Sequence, residues 1–153
     1  MGMNEVRTLL AGRGLVESPR WHGDRLYFSD WSAGEVLAVD LAGHSEVIAR
    51  VKSLPLCTAW LPDGHLVIVS SRDGRLLRRE LDGSLVTYAD LGRPGWNDIV
   101  VDGRGNAYVN GAGFNPMAGC SSSRPPMASC CAWNPADPSS RTPTSAAAAP
   151  GTT

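Results

Sequence analysis

A repeat of 40 residues governs what this chain can fold into. Leu26 recurs as Leu66, Gly34 as Gly74, and Val36-Leu37 as Leu76-Leu77. Asp40-Leu41 recurs as Glu80-Leu81, and Gly43 as Gly83. A third copy begins at Trp96 and sets Tyr108-Val109 opposite Ile68-Val69. A fixed internal period means stacked copies of one supersecondary unit, because a single copy cannot bury its own apolar face.

Each copy reads as short strands between turn residues. In the first, ESPRW runs to a turn at His22-Gly23-Asp24, followed by RLYFSDW, a turn at Ser32-Ala33-Gly34, then EVLAVDL and SEVIARV. In the second, CTAWL, HLVIVSS, RLLRREL and LVTYADL are separated by Asp63-Gly64, Asp73-Gly74 and Asp82-Gly83. Asp-Gly between apolar runs predicts tight hairpins of type I′, in which both central residues take positive φ. EVLAVDL alternates, with Val36, Ala38 and Asp40 against Leu37, Val39 and Leu41. No segment carries a 3.6-residue period, so helix content is expected to be low.

Four short strands per ~40–45 residues is the arithmetic of a β-propeller blade. The predicted fold is therefore all-β, a partial β-propeller. A generic antiparallel meander or sandwich is the alternative, but it leaves the matched turns at one offset unexplained. The third copy supplies NDIVV and NAYVNG and then stops, giving about two and a half four-stranded antiparallel blades. That reads as the front half of a larger ring, with an open edge through which the chain could self-associate.

Composition divides the chain at the same place. Residues 116–153 hold 7 of the 11 prolines, 3 of the 4 cysteines and no Val, Ile, Leu, Phe or Tyr. So little apolar surface cannot offset ordering entropy. The expected organisation is a propeller region over 1–115 and a disordered Pro/Ser/Ala-rich tail over 116–153, with a composition that a GC-rich gene read out of frame would produce.

The cysteines form neither a disulfide framework nor a metal finger, for there is no CxxC pair. A net charge of −1 removes the electrostatic case for nucleic acid or an anionic membrane. The N-terminus lacks the apolar core of a secretory signal, Val6 stands where myristoylation wants Ser or Thr, and no run has the length of a membrane span. A cytoplasmic protein is the expectation.

In a propeller the first strand of each blade lines the central channel. The 40-residue offset makes Glu17, Cys57 and Asn97 equivalent, and likewise Ser18, Thr58 and Asp98. Glu17, Asn97 and Asp98 would offer hard oxygen donors suited to Ca²⁺, Mg²⁺ or Mn²⁺. The alternative is that they are solvated residues at strand ends. Trp21, Trp31 and Trp60 read as packing between blades, His22, His44 and His65 as surface residues, and Cys57 as a neutral thiol. GxSxG and complete phosphate-binding fingerprints are absent.

Two stretches carry a resemblance. GLVESPRWHGDRLYFSDWSAGEVLAVDL resembles the opening blade of the SMP-30/gluconolactonase/LRE-like family, and GWNDIVVDGRGNAYVNG resembles its third-blade motif. The resemblance covers roughly residues 8–117. The resemblance implies a six-bladed propeller and a lactone hydrolase acting on a sugar-type lactone. It implies one divalent cation, calcium first, with zinc, manganese or magnesium as alternatives. It places the first-blade metal ligand on Glu17, the substrate-binding residue on Asn97, and the catalytic carboxylate that faces the water on Asp98. The family's two further ligands come from later blades, for which this chain has no sequence. Gly95 replaces an arginine often found two residues before the Asn-Asp pair. The chain alone is therefore expected to be inactive, and a non-catalytic propeller fragment that binds a partner is the alternative function.

Overall fold

Short apolar runs bounded by turn residues become strands, and eleven strands occur among the described residues. The structure, a computed structural model, describes residues 6–112 and 128–133. The strands are β1 (Val16–His22), β2 (Arg25–Asp30), β3 (Glu35–Asp40), β4 (Ser45–Arg50), β5 (Leu56–Trp60), β6 (Leu66–Ser70), β7 (Arg75–Arg79), β8 (Leu85–Asp90), β9 (Trp96–Val101), β10 (Ala107–Ala112) and β11 (Ala128–Trp133). They form three antiparallel sheets in the orders β1-β2-β3-β4, β5-β6-β7-β8 and β9-β10-β11. No helix occurs among the described residues, and none there is long and apolar enough to cross a membrane.

The repeat extends to backbone detail. The register slips between Val36 and Leu37 in β3, and again between Leu76 and Leu77 in β7. Val51 N–H donates to the Gly34 carbonyl at 2.8 Å, and Leu91 N–H to the Gly74 carbonyl at 2.8 Å. Equivalent bulges and equivalent bonds 40 residues apart show that the two copies are one design.

Burial explains why β6 is a continuous apolar run. Val67 and Val69 pack with Trp96, Ile99, Ala107 and Val109 of the third sheet. Leu66 and Ile68 pack with Val36, Ala49 and Val51 of the first. The middle sheet is thus covered on both faces, and neither face of β6 can be polar. β3 shows the same logic and keeps the alternation expected of it, with both faces covered: Val36 faces the second sheet, while Leu37 and Val39 pack with Phe28 and with Leu9 and Leu10. The first strands β1, β5 and β9 are brought side by side.

Three expectations change. Type I′ geometry occurs at Gly23-Asp24, where φ is +53° and +62°. At Asp82-Gly83 only the glycine has positive φ. There Gly83 N–H bonds the Glu80 carbonyl at 3.0 Å, and Asp82 Oδ1 accepts from Ser84 N–H at 2.9 Å. The carboxylate caps the turn, so the aspartate keeps ordinary φ. Second, the tail expected to be disordered lies outside the described residues except at 128–133. There β11 pairs with β10 from Ala107↔Trp133 to Ala112↔Ala128. Ladder pairing satisfies backbone groups irrespective of side chain, which is why a stretch without Val, Ile or Leu can still complete a sheet edge. The third sheet accordingly has three strands rather than two. Third, Trp21 is exposed, whereas Trp31 and Trp60 do pack on the cores between sheets. His22 is half-buried and stacks on Trp60 with centroids 3.7 Å apart. Period-2 alternation turns Arg20 and His22 inward and Trp21 out.

The turn carboxylates make a prediction. Asp40, Asp63, Asp82 and Asp102 are all held below the usual aspartate range. The main causes are the His44 side chain, the His65 N–H, the Ser84 hydroxyl and the Asn106 amide respectively. A carboxyl with a depressed folded-state value adds stability above its unfolded value and loses it as pH falls through the folded value. Thermal melts should therefore fall progressively below about pH 4. A variant with Asn at all four positions should show a flatter acid limb.

Candidate functional site

The cleft begins with a bulge. β1 pairs with β2 regularly except between Glu17 and Arg20, where the register slips. Ser18 takes φ +57° there, unusual for a residue with a Cβ. Its hydroxyl compensates: it accepts from Thr58 N–H at 2.9 Å and lies 3.3 Å from the Thr58 carbonyl. Ser18 and Thr58 are the equivalent pair 40 residues apart, so the repeat offset has become a physical contact. The next equivalent pair also meets, since the Cys57 thiol donates to the Asn97 carbonyl.

These contacts hold the starts of β1, β5 and β9 around a cleft of about 190 Å³. Glu17, Ser18, Pro19 and Arg20 line it from β1, Cys57 from β5, Asn97 and Asp98 from β9, and Trp31 from the end of β2. All three residues singled out in sequence, Glu17, Asn97 and Asp98, thus reach one space. Thr58, fully buried, holds Ser18 from behind. Trp31 is anchored by its indole N–H, which donates to the Leu56 carbonyl at 2.6 Å.

Cys57 is 2% exposed. Burial, aided by the Asp98 and Glu17 charges, pushes its thiol up to about 12. It is a neutral donor at physiological pH and no thiolate ligand, because burial outweighs the nearby Arg20 charge that acts to lower it.

Arg20 is the residue that sequence reasoning missed. Its Nη2 donates to Asp98 Oδ1 at 2.9 Å and to the Ile99 carbonyl at 3.0 Å, which ties the first sheet to the third. Periodicity offered no signal, because its equivalents are Trp60 and Val100. The Glu17 carboxylate, in contrast, has no hydrogen bond or ion pair among the described residues. The donor set of Glu17 carboxylate, Asn97 amide and Asp98 carboxylate is all hard oxygen, with the one sulfur protonated and engaged. That chemistry fits a hard divalent cation: among the described residues the Glu17 carboxylate, the Asn97 side-chain amide and Asp98 Oδ2 have no hydrogen bond, whereas Asp98 Oδ1 is engaged. Among the described residues no three His, Cys, Asp or Glu side chains converge as a ready metal cluster.

The fold has counterparts among solved structures. The structure superposes on a gluconolactonase from Xanthomonas campestris with a TM-score of 0.68 and 22% identity, over 84% of this chain and 46% of that one. A second solved structure, of a candidate gluconolactonase, gives a TM-score of 0.60 and 20% identity, over 82% of this chain and 47% of that one. The fold is shared with both, and the chain spans less than half the length of either. No curated protein matches it in sequence. The SMP-30/Gluconolactonase/LRE-like region matches residues 15–141, beyond the limit of 117 read from sequence motifs and past β11. A match over that much of the 153 residues means that this chain belongs to the SMP-30/gluconolactonase/LRE-like family.

Proposed function

We propose that the three sheets are successive blades of a six-bladed β-propeller, and that the chain carries one side of a lactone hydrolase site. The observation that supports it is the cleft itself. Residues from β1 and β9, far apart in sequence, meet there in the arrangement the repeat offset selects. The substrate class is a sugar-type lactone.

Glu17 is the cation ligand in this reading, with calcium the first choice and manganese, magnesium or zinc as alternatives. The all-oxygen donor set ranks zinc last. A bound divalent cation would polarise the lactone carbonyl and acidify a nearby water. Asn97 holds the substrate through its amide. Asp98 orients the attacking water and takes its proton. Trp31 and the buried thiol of Cys57 exclude bulk solvent from the floor of the cleft.

With Glu17 as its one protein ligand a cation is held weakly, so this chain alone is inactive as a lactonase. Two measurements test the reading. Titration with Ca²⁺, Mn²⁺, Mg²⁺ and Zn²⁺ should raise the melting temperature, and Glu17→Gln should abolish the rise. A pH-stat assay on γ- and δ-lactones should show no saturable, metal-dependent rate. A clear rate would overturn inactivity while upholding the hydrolase. Indifference to every cation would sink the metal role.

The third sheet favours a second reading in that case. Val100 and Tyr108 are cross-strand partners, 61% and 37% exposed, on the face turned away from the second sheet. Such a pair suits a non-catalytic module that binds a partner, or a second copy, through its outer face. Concentration-dependent sedimentation that Val100→Lys abolishes would support it.

A further inference from the structure

We propose that Arg20 is a positioning residue that withholds Asp98 Oδ1, and the full charge of its carboxylate, from a cation at Glu17, so that removing Arg20 tightens cation binding. The inference rests on the reading of Glu17 as a cation ligand.

Residues three apart on a regular strand face opposite sides of the sheet. Glu17 and Arg20 both line the cleft because the bulge between them inserts the extra residue that restores a common side. The bulge is held by Ser18, through its bond to Thr58 N–H. The backbone irregularity thus aims one acid and one base into the same space.

Asp98 Oδ1 is saturated by this arrangement. It accepts from Arg20 Nη2 at 2.9 Å and from Ile99 N–H at 2.8 Å. With both acceptor positions filled, Oδ1 cannot ligate a cation without losing a donor, and the carboxylate offers a cation only Oδ2, which has no hydrogen bond among the described residues. Arg20 is held in turn by the carbonyls of Pro19 and Ile99, both at 3.0 Å. Charge points the same way. With Arg20 present, Glu17 and Asp98 leave the cleft one net negative charge. Without Arg20 they leave two, both on hard oxygen donors.

A mere strut between the first and third sheets makes the opposite prediction. Its removal would loosen the site and weaken any cation bound there. The direction of the change therefore separates the two roles, with no need for catalysis.

The test is Mn²⁺ titration of the full chain, with free Mn²⁺ read by electron paramagnetic resonance. Arg20→Gln should bind Mn²⁺ about tenfold more tightly than the unaltered chain. The double variant Arg20→Gln/Asp98→Asn should lose the whole gain, and Arg20→Lys, which keeps the charge, should gain little. Arg20→Met, which retains the aliphatic stem, serves if the Gln variant does not fold. An unchanged or weaker affinity in a folded variant overturns the proposal, as does a gain that survives Asp98→Asn. If the unaltered chain binds Mn²⁺ through Glu17 and the Arg20 variants gain nothing, this inference fails and the ligand reading stands. If neither form binds Mn²⁺, the ligand reading fails and takes this inference with it.

Discussion

Trp96→Ala should destabilise the chain by about 3–5 kcal/mol, a large part of what a small domain possesses. Trp96 is fully buried in the core shared by the second and third sheets, against Val67, Val69, Leu76 and Ile99. Truncation loses the ring's burial and leaves a cavity between two sheets that backbone pairing keeps from collapsing. The Arg93 guanidinium, 4.2 Å from the ring centroid, loses its partner as well. One term runs the other way. The indole N–H is buried with no hydrogen-bond partner, and its loss returns about 1–3 kcal/mol. Burial outweighs it in the alanine variant but not in Trp96→Phe, which keeps an aromatic ring and removes the orphan donor. The phenylalanine variant should lose about 1 kcal/mol or less. Urea denaturation of the three proteins checks both figures. Equal losses for Ala and Phe would mean that the indole's shape or an undetected partner, and not its apolar area, matters at this position.

Gly74→Ala is the second large effect, and its cause is backbone rather than side chain. Gly74 has φ +62°, and a Cβ there would stand 2.6 Å from the Arg93 carbonyl oxygen. Left-handed backbone alone costs a non-glycine residue about 1–2 kcal/mol. The clash adds to it, because a main-chain carbonyl in a bonded loop cannot swing away as a flexible side chain could. A total of about 2–4 kcal/mol is expected. Gly64→Ala is the control. Its φ is +86°, and its Cβ would meet nothing within 4 Å. It should lose only the backbone part, about 1–2 kcal/mol. A difference of zero between the two variants would show that the loop carrying Arg93 yields freely.

The strands were legible because their signals are local. HLVIVSS between two turns can be little other than a strand, and its unbroken apolarity already says that both faces are covered. The site was legible for a less local reason: a repeat lets sequence distance stand in for spatial equivalence. Glu17 and Asn97 could be paired on paper because they are two periods apart, and Ser18 with Thr58 because they are one period apart. Where a residue breaks the repeat, that route closes. Arg20 has Trp60 and Val100 at its equivalent positions, so nothing in the period links it to Asp98. β11 was missed for a related reason. Composition reports what side chains can bury, while a strand at a sheet edge is recruited by unpaired N–H and C=O groups, which every residue type but proline supplies in full.

From its sequence alone the chain is all-β, built on a 40-residue unit, and places Glu17, Asn97 and Asp98 at the mouth of adjacent first strands. Alternation, turn chemistry and periodicity act along the chain, so a reader of the chain can follow them. Only the tertiary structure decides that a bulge turns Glu17 and Arg20 to the same side, that Arg20 claims Asp98 across 78 residues, and that the Cys57 thiol donates to the Asn97 carbonyl. Those outcomes depend on which groups lie within about 3 Å of each other and on how much water reaches them, and neither quantity is a property of sequence order.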